Sequence, residues 1–314
     1  MRILLTGAFG NIGMSSLQEL LRQGHQVRCF VRKHRANKHV ARRFAKQIEV
    51  AWGDVRRRED LESAVQDQDV IIHLAYILPP ESDDDPAVAY ETNVNGTRNV
   101  LEAARKLATP PKILFSSTFD VFGFTQDQPP PRKVSDPVQA TDNYTEHKIT
   151  CEEMVKTSGL EWAIFRFADV PPLVLRHPHP IMFRISLDTR IEVIHSYDAG
   201  LAVANAMKCE QVWGTLQLIG GGPSCQIYYR DYLGSMLEVM GIGMLPERAF
   251  STKPYCTDWL DTTESQHLLH YQRSSFEDII RDLSQLVGYR KYFVPLVRPA
   301  VRRWILRMSP YLRD

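Results

Sequence analysis

The strongest constraint on this chain is the run Arg2-Ile-Leu-Leu-Thr-Gly-Ala-Phe-Gly-Asn-Ile-Gly13, an apolar strand that passes directly into three glycines. A turn that brings backbone against a pyrophosphate has no room for Cβ atoms at Gly7, Gly10 and Gly13. A helix beginning near Asn11 would aim its unpaired N–H groups and positive dipole end at the phosphates. The spacing is Gly-x-x-Gly-x-x-Gly rather than the commoner Gly-x-Gly-x-x-Gly, and three glycines alone equally suit an ordinary strand–turn–helix. Context favours the first reading. Residues 14–23 place Leu17, Leu20 and Leu21 at helical spacing before Gly24, a glycine C-cap, and residues 27–31 follow as a second strand. The result is a β-α-β unit of about thirty residues, the setting that a dinucleotide-binding turn needs.

A site for NAD carries an acid at the end of the second strand, for the ribose hydroxyls. Here that end reads Val31-Arg-Lys-His-Arg35, without a carboxylate. Arg32 at this point favours a 2′-phosphate, so the expected cofactor is NADP, with NAD possible. The alternative is that these bases, with Arg42, Arg43 and Lys46, form the solvated face of a helix.

Strands and helices then alternate. Residues 48–52 read as a third strand ending in Gly53-Asp54-Val55, residues 61–65 as a brief helix, and residues 69–75 as a nearly unbroken apolar strand. Residues 79–86 read as a loop, 87–107 as helical and 112–118 as the next strand. This alternation predicts an α/β fold with a doubly wound parallel sheet of Rossmann type. Residues 123–142 read as a loop over the C-terminal edge of the sheet, 144–154 as a helix and 162–167 as a strand. Residues 191–194 and a helix over 198–207 are expected to return to the sheet. The dinucleotide-binding domain is thus expected at 1–167 plus about 190–219. A smaller, mainly C-terminal substrate domain is expected at 168–189 plus 220–288, with a basic amphipathic tail at 289–314.

Tyr144 and Lys148 stand four residues apart, on one face of a helix turn. An ammonium there stabilises phenolate and lowers the tyrosine pKa, so the phenol can exchange a proton with an alcohol or ketone while a nicotinamide exchanges hydride. The spacing is cheap by itself. Its value lies in position, since it follows a strand ending in Ser116-Ser-Thr118.

With these residues in view, the chain resembles the extended short-chain dehydrogenase/reductases, the NAD(P)-dependent epimerase/dehydratase family. The matching stretches are Thr6 to Gly13, Gly53-Asp54, His73-Leu-Ala75, Asn93-Val-Asn-Gly-Thr97, Ser116 to Thr118, Tyr144 to Lys148, Arg166 and Ile194-His-Ser-Tyr-Asp-Ala199, within roughly the first 285 residues. The resemblance implies catalytic roles for Thr118, Tyr144 and Lys148. It implies cofactor contacts at Gly7, Phe9, Gly10, Asn11, Ile12, Gly13, Arg32, Asp54, Val55, Leu74, Ala75, Tyr76, Asn93, Ser116, Tyr144 and Lys148. Asp54 would accept from the adenine amino group, Asn93 would brace the active-site helices, and Lys148 would hold the nicotinamide ribose. Two departures narrow the chemistry. Phe119 follows Thr118 where dehydratases of the family have an acid, which speaks against dehydration, although Asp120 remains as a base. Asp169 replaces the family's usual asparagine, and a carboxylate there repels a diphosphate.

The implied activity is an NADP-preferring oxidoreductase acting on a carbonyl or alcohol. The alternatives are a sugar epimerase that recycles bound cofactor and a non-catalytic cofactor-binding sensor or scaffold. A net charge of +1 argues against nucleic acid as a partner, and the expected partner is a small-molecule substrate, with a homodimer possible. Five dispersed cysteines suit a reducing compartment, and no signal or membrane-spanning run is evident, so the expected location is cytoplasmic. His73, His147 and His195 share no ligand spacing and no metal is expected. The tail mixes Arg298, Arg302, Arg303 and Arg307 with Phe293, Val297, Trp304, Ile305 and Leu306, and Pro295 and Pro299 are expected to interrupt any long helix. Packing against the chain's own body or a second subunit is favoured there over an anionic membrane surface.

Overall fold

In the computed structural model, which describes residues 1–174, 177–289 and 293–312, seven parallel strands form the central sheet. They are β1 (Arg2–Thr6), β2 (Gln26–Val31), β3 (Ile48–Trp52), β4 (Val70–His73), β5 (Lys112–Thr118), β6 (Trp162–Phe167) and, after β7 (Arg190–Glu192), β8 (Leu216–Ile219), in the order β3-β2-β1-β4-β5-β6-β8. The order reverses between β1 and β4. In such sheets ligands bind outside the carboxyl ends of the strands at that switch point.

Period-two alternation sends successive side chains to opposite faces, and both faces are covered. Ile3, Leu5 and Ile72 join Leu17, Leu20 and Leu201 in one core. Leu4, Ile71 and Phe115 join Leu61, Val100 and Val155 in the other. At about 1.5 to 3 kcal/mol for each fully buried large aliphatic side chain, these two layers supply the main driving force for the fold.

The sheet corrects the sequence reading at its far edge. Residues 190–192 do not return to it: β7 pairs antiparallel with β9 (Gln226–Tyr228) in a separate two-stranded sheet. Glu192 supplies the reason. Its carboxylate is fully buried and accepts from the backbone N–H of Gly222 at 3.0 Å and of Leu260 at 2.7 Å, and from Gln226 Nε2 at 3.0 Å. Such a group needs polar neighbours that a sheet buried on both faces does not offer. The seventh position is taken by β8, paired to β6.

Two helices also differ from expectation. Within 79–86, read as a loop, Glu81–Asp84 forms one helical turn, and Asp85 then caps the next helix by accepting from the Val88 N–H at 3.1 Å. In the tail, Val294–Leu306 is one helix of 13 residues despite Pro295 and Pro299. Pro295 stands in its first turn, where the missing N–H has no intrahelical partner to lose. Arg290, Lys291 and Arg313 lie outside the described residues.

A third core, with Phe183, Leu187, Tyr229, Leu233, Leu237 and Phe250, lies apart from the sheet, and the tail contributes Ile305 to it. Among the described residues no helix is long and apolar enough to cross a membrane.

Candidate active site

The glycine turn has the shape of a cradle. Gly7 has φ +67°, and a Cβ on it would stand 2.8 Å from the Leu74 carbonyl and the Ala75 nitrogen. A Cβ on Gly13 would meet the Gly7 carbonyl oxygen at 2.1 Å, so only glycine lets the helix Asn11–Arg22 begin so close to the strand. Thr6 ties the two strand ends together: its hydroxyl accepts from the Leu74 and Ala75 N–H groups, each at 3.2 Å, and lies 2.8 Å from His73 Nδ1. His73 reaches Thr97 Oγ1 at 3.1 Å on its other side, and burial brings its pKa down to about 3. It is a neutral, structural imidazole. A dinucleotide fits this geometry, because the backbone approach and helix terminus that a pyrophosphate requires are both built.

The cleft beside the turn is lined by Gly7, Phe9, Gly10, Arg32, Asp54, Val55, Leu74, Ala75 and Tyr76, all named from sequence, and also by His34 and Asn37. Its outer end carries four basic residues beside Asp54 and Glu91. Arg32 and Lys33 stand there with Arg56 and Arg57, which the sequence reading missed. Arg56 grips Asp54 at 2.6 Å and holds that carboxyl below the ordinary carboxylate range, and Arg57 pairs with Asp60 at 2.9 Å. Arg42, Arg43 and Lys46 are exposed, as the alternative reading of that basic stretch has it; Arg32 is exposed as well, but it lines the cleft.

Asn11, Ile12 and Gly13 are not among the residues lining that cleft. Asn11 donates to the Val170 carbonyl at 2.8 Å, and Ile12 packs on the core. Asn93 is fully buried, exchanging hydrogen bonds with the backbone of Ile77 at 2.8 and 3.0 Å and standing 3.5 Å from His147. It ties the chain after β4 to the helices, a brace.

The reacting end assembles at the end of β5. A capping box, in which Asp142 accepts from the Thr145 N–H at 2.8 Å, starts the helix Asn143–Lys156 and fixes Tyr144 in its first turn. Lys148 Nζ donates to the Ser116 carbonyl at 2.6 Å and sits 3.4 Å above the Tyr76 ring centre, against 5.9 Å for Tyr144. Burial brings the ammonium down to about 7. Ser116 Oγ in turn donates to the His73 carbonyl at 3.2 Å.

Tyr144 departs from the sequence expectation. Burial, and then the Asp120 carboxyl, push its phenol above the ordinary value, opposed by a hydrogen-bonding contact with Thr118. Lys148 spends its charge on Ser116 and Tyr76, so the lowering expected from it is not seen. Burial likewise lifts Asp120 to about 8, against the hydrogen bond to Thr118, with Asp169 and Asp142 adding to the rise. Around this end stand more phenols: Tyr232 donates to Asp169 at 3.2 Å, and Tyr255 feels Asp120.

Beneath the site lies an ion pair that sequence reasoning missed. Arg166 donates to both Glu152 oxygens at 2.9 and 2.7 Å, Ser117 Oγ donates to Glu152 at 2.6 Å, and the guanidinium stacks 4.9 Å from the Phe122 ring centre. It locks β5, β6 and the Tyr144 helix together below the reacting groups. His147 stacks on Tyr90, and His195 caps a helix and meets Asp282 at 3.3 Å. No group of three or more His, Cys, Asp or Glu among the described residues is disposed to hold a metal ion.

Known proteins share this fold. The solved UDP-glucuronic acid 4-epimerase of Bacillus cereus matches 91% of the chain with a TM-score of 0.76 at 19% identity, covering 99% of that protein. DesIV, a dTDP-glucose 4,6-dehydratase of Streptomyces venezuelae, matches 93% at 0.77 and 20% identity, covering 98% of its own length. By sequence, photosystem II assembly factor Ycf39 of Cyanophora paradoxa is 30% identical over 53% of this chain and 44% of its own. D-erythronate dehydrogenase of Haemophilus influenzae is 23% identical over 90% and 98%. The chain spans less than half the length of the first curated relatives it matches. The model of the NAD dependent epimerase/dehydratase family matches residues 3–170, and with the glycine cradle and strand order in place, the chain belongs to that family.

Proposed function

We propose that the protein is an NADP-preferring oxidoreductase that reduces a ketone or oxidises an alcohol, with Tyr144 exchanging the proton at the substrate oxygen. A bound nicotinamide supplies or accepts the hydride. The observation that carries the reading is the buried Tyr144 phenol, one helical turn from Lys148 on a helix packed against β5, the strand that ends at Thr118. Both Tyr144 and Asp120 keep their protons at neutral pH, because burial and mutual proximity disfavour the anions.

Arg32 and Lys33 at the outer end support NADP, since cations there suit a 2′-phosphate. Asp142 and Asp169 at the other end disfavour a diphosphate and support a neutral ketone or alcohol. Asn93 and the Glu152–Arg166 pair hold the geometry, Thr118 positions the substrate oxygen, and Lys148 anchors the cofactor's ribose.

The test is net oxidation of NADPH against a panel of neutral ketones. Tyr144→Phe should lower turnover about 10²- to 10⁴-fold with NADP binding retained. Conversion of a sugar without net NADPH consumption would replace this reading with an epimerase. Activity unchanged in Tyr144→Phe would remove the acid/base role altogether.

A further inference from the structure

The helix Val294–Leu306 is buried along one side only. Ile305 is fully buried in the third core with Val294 and Val301 packed beside it. Arg298 donates to the Ile242 carbonyl at 2.8 Å, and Arg302 donates to those of Ile242, Gly243 and Met244 at 2.7 to 3.0 Å, which clamps the helix to the body. The side turned away carries large apolar residues beside the exposed Arg303 and Arg307. Leu296 is 79% exposed, Phe293 60%, Val297 53% and Trp304 48%, and the spacing of 293, 297 and 304 sets three of them on one helical stripe. Three large apolar side chains exposed on this helix, with Phe293 at its N-cap, make a patch that marks an interaction site.

Beside the stripe runs a groove lined by Arg298, Arg302, Arg303 and Arg307 with Leu306, and no carboxylate is among its lining residues. The charge is concentrated at this end of the chain. Residues 289–314 hold seven of the 38 basic and one of the 37 acidic residues, leaving 31 basic against 36 acidic in residues 1–288. A positive, tryptophan-bearing apolar face on an otherwise acidic protein is complementary to a surface with an apolar interior and anionic headgroups.

We propose that this helix docks the protein on an anionic phospholipid surface, with Phe293, Leu296, Val297 and Trp304 entering the headgroup region and the arginine groove taking a lipid phosphate. The helix lies in the interface and does not span it.

The test is co-sedimentation of the full chain with vesicles of phosphatidylcholine, with and without phosphatidylglycerol. Binding is expected only to the anionic vesicles, weakening as salt rises. The exposed pairs Leu296→Ser with Trp304→Ser, and Arg303→Gln with Arg307→Gln, should each weaken it roughly tenfold or more. Unchanged NADP affinity in both variants shows that they remain folded. Inorganic phosphate at millimolar concentration should not release the wild-type protein. Release by phosphate would make the groove a free-anion site and overturn the proposal. So would equal, negligible pelleting with both vesicle types, or a vesicle-free dimer that Leu296→Ser dissociates, which would make the face a contact between copies.

Discussion

The two ends of the cleft are built on opposite electrostatic plans. At the outer end Arg32, Lys33, Arg56 and Arg57 line one pocket together with Asp54 and Glu91. At the reacting end Asp120, Asp142 and Asp169 stand among phenols, and burial keeps Tyr144 and Asp120 protonated. The contrast separates two kinds of recognition. On the proposed function, one end would meet an anionic handle with charged side chains, and the other would present protonated groups to a neutral substrate.

The largest effect that sharpens this contrast is Tyr144→Phe. It should lower kcat about 10²- to 10⁴-fold while leaving calorimetric NADP binding within a factor of two or so, because the lost proton transfer belongs to one end only. Next comes Glu152→Ala, which strips Arg166 of its buried partner beneath the reacting groups. Chemical denaturation should show a loss of about 3 to 5 kcal/mol. A loss of under about 1 kcal/mol would mean that the pair is not the brace described.

Asp120→Asn tests the proton store. With a folded pKa of about 8 against an ordinary value near 4, the folded state of the wild type holds an extra proton across that window. Its contribution to stability is full below about pH 4 and is lost as pH rises toward 8. Thermal melting between pH 5 and 8 should therefore fall less steeply in Asp120→Asn than in the wild type. Lys148 acts with the opposite sign in a higher window. Its depressed folded pKa of about 7 leaves the unfolded chain holding the proton above that pH, so its contribution improves as pH rises from 7 toward 10. Parallel melting curves would remove Asp120 from the account.

Much of this was legible in the chain. The strands over residues 48–52, 112–118 and 162–167 were read to the residue, because each is a short apolar run bounded by turn residues. The glycine turn was legible because its constraint is local: each missing Cβ follows from backbone geometry a few residues away. Long-range arrangements left no such mark. Glu192 made 191–194 look like an ordinary strand until Leu260, from a distant loop, is seen to donate to it. Glu152 is one glutamate among many on a helix, and only the placement of β6 brings Arg166 against it. Arg56 and Arg57 follow β3, and only its pairing with β2 brings them to the same end of the sheet as Arg32. The phenol's raised pKa comes from its burial and from Asp120 nearby, which spacing does not specify.

The claim that the outer end reads a phosphate on charge is tested most directly by calorimetric binding of NADP and NAD to the wild type and to Arg32→Ala. The account predicts NADP bound about tenfold or more tighter than NAD by the wild type, with most of that preference lost in Arg32→Ala. Equal affinities in the wild type, or a preference for NAD, would contradict it.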